Sequence, residues 1–222
     1  MCSSDLAMSR GPVALARSVA ADLLELLRTR AFLLLVTCFT LPALAGWVVR
    51  DWMPAILKQQ FGLGQGMAGV SASLWWNVAA FVGVLAGGWL ADAWSRVTPR
   101  GRMFTSAVGI ALLVPALFGV GNAPSLSVAV AFLALFGLGW GLFDCNNMPI
   151  LCQIASPRLR ATGYGLMNLV SISCGGLADV GFGALRDRGL PLNGIFAAFA
   201  ALAVIAAALM ASLRPSRSTA GS

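Results

Sequence analysis

The chain contains no histidine. That absence removes the Ser-His-Asp and Cys-His relays of nucleophilic catalysis and every imidazole-ligated metal site. Acidic residues are also scarce: eight aspartates and glutamates are scattered over 222 residues, too dispersed for a carboxylate cage, so no metal and no cofactor is expected. The five cysteines, Cys2, Cys38, Cys145, Cys152 and Cys174, are odd in number and form no C-x-x-C pair. Most fall inside apolar runs, where cysteine behaves as a small hydrophobe, and no disulfide is expected. No nucleophile stands beside a base, so the chain does not read as an enzyme. Residues 1–6 have neither the basic n-region nor the apolar h-region of a signal peptide. Cys-Ser-Ser-Asp-Leu reads instead as the in-frame translation of a common sequencing-adapter end, with the native sequence expected to begin near Ala7 and an upstream part missing.

What is present is apolar. Hydrophobic residues make up 59% of the chain and charged residues 10%, with a mean hydropathy of +0.84. This is the composition of a polytopic membrane protein. Six runs reach the roughly 20 residues that a bilayer core requires, at about 31–57, 67–91, 103–120, 127–153, 160–185 and 191–213. The expected fold class is an all-α membrane protein with a six-helix bundle over 31–213. It is flanked by a tail over 1–30 and a short basic tail over 214–222. Within the first tail, Ala16, Val19, Ala20, Leu23, Leu24 and Leu27 recur at helical spacing over 13–28, opposite Arg17, Glu25 and Arg28. That pattern predicts an amphipathic helix lying on the membrane surface.

The basic residues divide sharply between alternate loops. One set of segments carries Arg10, Arg17, Arg28, Arg30, Arg96, Arg100, Arg102, Arg158, Arg160, Arg214 and Arg217, and the other only Lys58, Arg186 and Arg188. The positive-inside rule then puts both termini in the cytoplasm. It also accounts for the net charge of +7 without a nucleic-acid partner, since no aromatic-interleaved basic patch exists.

Polar residues inside the spans are unevenly placed. The first span has Arg50 and Asp51, the second Asn77, the fourth Asp144, Asn146 and Asn147, and the fifth Tyr164, Asn168, Ser171 and Asp179. Such groups face protein or a water-filled interior, so spans one, two, four and five are expected to line a cavity and spans three and six to face lipid. Charged, glycine-rich and apolar spans recur in the same order in each triplet, which predicts two inverted three-helix repeats. Gly83 with Gly87, and Gly137 with Gly141, each share one helix face. Such spacing either permits close packing or reflects the general abundance of glycine in membrane helices.

Gly88, Asp92 and Arg96, followed by Arg100 and Arg102, resemble the loop signature G-x-x-x-D-R/K-x-G-R/K of the major facilitator superfamily of transporters. Ala93 and Ser95 stand where that signature has its first basic residue and its second glycine. Trp52-Met53-Pro54-Ala55-Ile56-Leu57 is similar to the W-x-P-x-x-L ending of first helices in facilitator halves. Residues 158–165 with Asn168 look like the start of the family's eleventh helix. The resemblance implies that the glycine allows close helix approach, the carboxylate caps a neighbouring helix and the basic residues face the cytoplasm. It further implies a C-terminal half in the bilayer whose homologous N-terminal six-helix half is absent. Bacterial carriers of organic anions, sugars and sugar acids are the most similar group, which points to the inner membrane.

Two readings stand for each polar site. Arg50 either faces the cavity as an anion-binding cation or snorkels outward while Asp51 caps a neighbouring helix. The two are adjacent and about 100° apart around the helix, so adjacency alone does not make them a pair. Trp47 is either a cavity aromatic or part of the interfacial belt. Asp144 and Asn147 share a face, as do Tyr164, Asn168 and Ser171. Asp144 and Asn168 fall at one depth, as a proton-coupling site or as a structural pair, and Asp179 reads as structural. The expected function is transport of a small polar solute by alternating access with a proton or cation. A uniporter and a non-transporting sensor are the rivals. Reporter fusions after Arg102, Arg160 and Arg217 should all read cytoplasmic and one near Asn122 external; a cytoplasmic reading near Asn122 would refute the span assignment.

Overall fold

The computed structural model of the protein describes residues 21–213. After a helical stretch over 21–28 come α1 (Arg30–Phe61), α2 (Gln65–Ser95), α3 (Gly101–Gly121), α4 (Leu126–Asp144), α5 (Asn147–Ile154), α6 (Arg160–Asp187) and α7 (Leu192–Ser212). α4 and α5 together form the fourth pass, so the described residues contain six passes long and apolar enough to cross a membrane. Each predicted span lies within a few residues of one of them. At about 1.5 Å per residue, the 32 residues of α1 extend about 48 Å, beyond a bilayer core of about 30 Å. Gly62, at φ 64° in the left-handed region, ends α1 and turns the chain into α2. The adapter-like start, the connector residues Ala16, Arg17, Val19 and Ala20, and the basic tail with Arg214 and Arg217 lie outside the described residues.

The most extensive helix pairings follow the predicted repeat. The first pass packs on the fifth and sixth, the fourth packs on the second and third, and the third packs on the sixth. Exchanging each pass for the one three positions later leaves that pattern unchanged. The tightest crossing, α2 on α4, is built from the predicted glycines. A Cβ on Gly87 would lie 2.9 Å from the Leu142 Cα, and one on Gly141 would lie 2.6 Å from the Val84 nitrogen. Gly83 and Gly137 meet backbone of the opposite helix in the same way. A second crossing, α3 on α4, brings Gly109 and Gly139 against each other's carbonyl oxygens.

Three expectations are corrected. The third pass does not simply face lipid: Met103, Thr105, Ser106, Ile110 and Leu113 are all fully buried, and α3 is wedged between α4 and α7. Lipid tails are as apolar as leucine, so composition does not separate a lipid-facing helix from one packed in protein. The least buried passes are the second and fifth, with Trp89 and Leu177 about three-quarters exposed. Second, the fourth span is broken at Cys145–Asn146. Pro149 has no N–H to give the Cys145 carbonyl, and its ring crowds that carbonyl. Side chains take up the backbone groups nearby: the Asn146 amide donates to the Leu142 carbonyl at 3.1 Å and the Ser106 hydroxyl to the Phe143 carbonyl at 3.3 Å. Third, Gly88 does not mediate close approach here, because a Cβ added to it would meet open space.

In the connector, Leu24 and Leu27 are exposed while Leu26 is buried. Two of its acidic residues tie it to the loop before α6, since Arg158 pairs with Asp22 at 2.9 Å and with Glu25 at 2.7 Å, while Glu25 and Arg28 remain exposed. The glycine crossing makes a direct prediction. Gly141→Val should lower stability in detergent by about 1–3 kcal/mol through overpacking, whereas Gly88→Val should leave the thermal melting curve unchanged; equal curves would refute the crossing.

Candidate functional site

A recess of about 220 Å³ lies between the first, second, fourth and fifth passes. α1 contributes one stripe to it, Phe39, Ala43, Gly46, Trp47 and Arg50, at the three- and four-residue spacing that stacks side chains on one helix face. α2 adds Trp76, α4 adds Trp140 and Asp144, and α6 adds Asn168, Ser171 and Ile172. The walls are therefore largely aromatic, with a cation and a carboxylate set into them.

Glycine positions all three tryptophans. A Cβ on Gly46 would collide with the Trp140 ring, one on Gly175 with the Trp47 ring and one on Gly137 with Trp76. Each indole thus occupies a notch in a neighbouring helix. Trp140 is further held by stacking on Phe136, with centroids 6.1 Å apart, and by an edge contact with Phe143 at 5.7 Å. The Trp76 indole N–H is buried and has no acceptor among the described residues.

The Arg50 guanidinium lies 4.6 Å from the centroid of the Trp47 ring, and its Nε is 3.4 Å from Asp51 Oδ1. The two neighbours pair, because a long guanidinium stem bends far enough to span the angle between adjacent positions. Asp51 itself lines a separate depression with Lys58, Gln59 and Gln65. Asp179 faces this pair from α6, within electrostatic reach of both Arg50 and Asp51.

Asp144 accepts a hydrogen bond from the buried Asn147 amide at 3.1 Å. Asn168 lines the same recess as Asp144, but its amide donates to the Tyr164 carbonyl at 2.9 Å rather than to the carboxylate. Ser171 is buried, and the Tyr164 side chain is exposed and contributes no wall. Asn77 also stays outside, donating to the Ser73 carbonyl at 2.7 Å. The arrangement sets the guanidinium of Arg50 and the carboxylate of Asp144 among aromatic faces in one recess. No three side chains of metal-ligating type gather among the described residues.

The loop between α2 and α3 is a second polar cluster. Asp92 accepts from Arg102 at 2.7 Å. Arg100 donates to the carbonyls of Leu213, at 3.0 Å, and Ala211, the unsatisfied end of α7. Among the described residues Asp92 pairs with Arg102 and is given no helix N-terminus to cap, while Arg100 as a donor satisfies the C-terminal carbonyls of α7. Arg160 does the same for α5, donating to the Cys152 and Ala155 carbonyls. Gly101 is required by the turn, since its Cβ would lie 2.6 Å from the Trp94 carbonyl carbon. Arg96 is exposed.

Residues 6–178 match the sequence model of the Major Facilitator Superfamily, which covers most of the chain, the residues lining the recess and the loop between α2 and α3. No curated protein matches the chain significantly. The Arg100 cap is directly testable. Arg100→Gln should cost about 1–3 kcal/mol of stability and accelerate amide hydrogen exchange in the last turn of α7 relative to that of α6. Unchanged exchange there would show that the carbonyls have other donors.

Proposed function

The chain belongs to the major facilitator superfamily, and from that membership we propose that it is the C-terminal six-helix half of a carrier for a small polar solute. The solute is an organic anion, a sugar or a sugar acid, moved by alternating access and driven by a proton or cation gradient. The observation that carries this reading is the shared recess. It brings Arg50, Asp144, Asn168 and Ser171 from three helices to one apolar, aromatic-walled space between the passes. Polar groups at that depth are costly unless they meet partners, water or solute.

An N-terminal half packs on the exposed faces of α2 and α6, and the two bundles rock about the recess. The arginine-rich end, with residues 21–30 and the loops at 96–100 and 155–160, faces the cytoplasm of a bacterial inner membrane. There the Asp92–Arg102 pair serves an inner gate. A uniporter is the second reading. It is favoured by the hydrogen bond that Asp144 already accepts from Asn147, which gives the carboxylate a structural task.

Asp144→Asn separates the two, since the amide keeps shape and most hydrogen bonds but exchanges no proton. In proteoliposomes holding a restored full-length chain, a coupling role predicts loss of gradient-driven accumulation with counterflow exchange retained. Retained accumulation with a lowered melting temperature would remove Asp144 from coupling. The 222-residue chain alone should show no saturable uptake; uptake without a partner would overturn the half-carrier reading.

A further inference from the structure

A second concavity, apart from the polar recess, is a groove of about 730 Å³ beside the arginine-rich loop, lined by Trp94, Val97, Thr98, Phe104, Val108 and Ala111 together with Ala207 of α7. Its walls carry almost no polar surface, and it is broadly open. Val97, at 88% exposed, stands at its end, and Val108, at 40%, along its side. An apolar groove of this size beside a transmembrane helix pair is filled in a bilayer, and what fills it must suit the charge at its mouth.

That charge is positive and lacks a counter-ion among the described residues. The Arg100 guanidinium lies 5.0 Å from the centroid of the Phe104 ring, and it is bonded only to carbonyls of α7, which leave its charge intact. Arg96 is exposed and makes no ion pair among the described residues. Asp92, at the end of α2 four residues before Arg96, is already held by Arg102. The chain's own C-terminal segment is a poor occupant: Arg-Pro-Ser-Arg-Ser-Thr-Ala-Gly-Ser adds more positive charge and no large apolar side chain.

We propose that this groove is a binding site for an anionic phospholipid. One acyl chain lies along Phe104, Val108 and Ala111 against α7, and the phosphate meets Arg96 and Arg100 at the membrane surface. Trp94 marks the headgroup level, as an amphipathic ring does at a membrane interface. Two cations near one headgroup favour an anionic lipid over a zwitterionic one, each by about five-fold.

The test is lipid retention by the purified 222-residue chain, measured by native mass spectrometry from detergent with phosphatidylglycerol and phosphatidylcholine of identical chains. Wild type should retain one phosphatidylglycerol with at least about five-fold preference. Arg96→Gln should remove about five-fold of that affinity while leaving phosphatidylcholine retention unchanged. Val108→Trp should displace both lipids, and Ala111→Phe, further along the groove, serves if the first variant does not fold by circular dichroism. Equal retention of the two lipids, or an Arg96→Gln variant with undiminished preference, would overturn the headgroup site. Undisturbed retention in a folded groove variant, or a change in oligomeric state alone, would overturn the acyl-chain site. None of these readouts depends on transport, so failure here and failure of the carrier reading are distinguishable.

Discussion

Backbone-to-backbone contact between α2 and α4 is the constraint on which most of this fold depends. In a bilayer no hydrophobic force draws helices together, so cohesion comes from close packing, and close packing needs the missing side chains of Gly83, Gly87, Gly137 and Gly141. The same absence has a second consequence at Gly137, which receives the edge of Trp76. Gly46 receives Trp140 and Gly175 receives Trp47 in the same manner. A tryptophan seated in a glycine notch loses rotamer freedom without needing a polar partner. The aromatic walls of the recess are in this sense made by the residues that are smallest, and filling a notch would push an indole into the space a solute would use.

A second constraint acts where the helices are interrupted. Water is scarce at membrane depth, so each backbone group freed by a break or a helix end must find another partner. Pro149 opens the fourth pass, and Asn146 and Ser106 supply donors to the carbonyls of Leu142 and Phe143. At the membrane surface the donors are arginines, Arg100 for α7 and Arg160 for α5. Several polar residues thus hold the scaffold and are not free for a solute. Asn147 is one of them, being buried and bonded to the carboxylate of Asp144.

Much of this was legible in the residues. Length and hydropathy located all six passes, because a bilayer sets one strict minimum for an apolar run. Glycine spacing located the α2–α4 crossing, and depth counting put Asp144 and Asn168 on one recess. The stripe Phe39, Ala43, Trp47, Arg50 was present at helical spacing, but Phe39 and Ala43 look like any lipid-facing residues until a partner helix is placed opposite. The burial of α3 was illegible for the same reason. The break at Cys145–Asn146 had a sign in Pro149, yet Pro42, Pro54 and Pro115 sit inside helices that continue, so proline alone did not decide it. Asn77 and Tyr164 line no wall of the recess among the described residues. Asn77 instead returns its amide to its own helix, a local solution that needs no cavity.

The exposure of α2 and α6 links stability to function on the proposed reading. These two passes are the least buried, yet each contributes to the recess, through Trp76 on one and Asn168 and Ser171 on the other. A surface carrying Phe81, Leu85 and Trp89 on α2 and Leu169, Leu177 and Val180 on α6, all more than 60% exposed, is tolerable against lipid but gains no packing from it. A second bundle laid across it would gain dispersion contacts over both helices and would close the recess at the same time. Its hold would also have to loosen as the bundles rock, so tight notches of the kind seen within the half would hinder it. Gly69, Gly88, Gly165, Gly176 and Gly181 of α2 and α6 meet nothing among the described residues, so on that reading they are the positions at which a partner helix would come nearest to the backbone of this bundle.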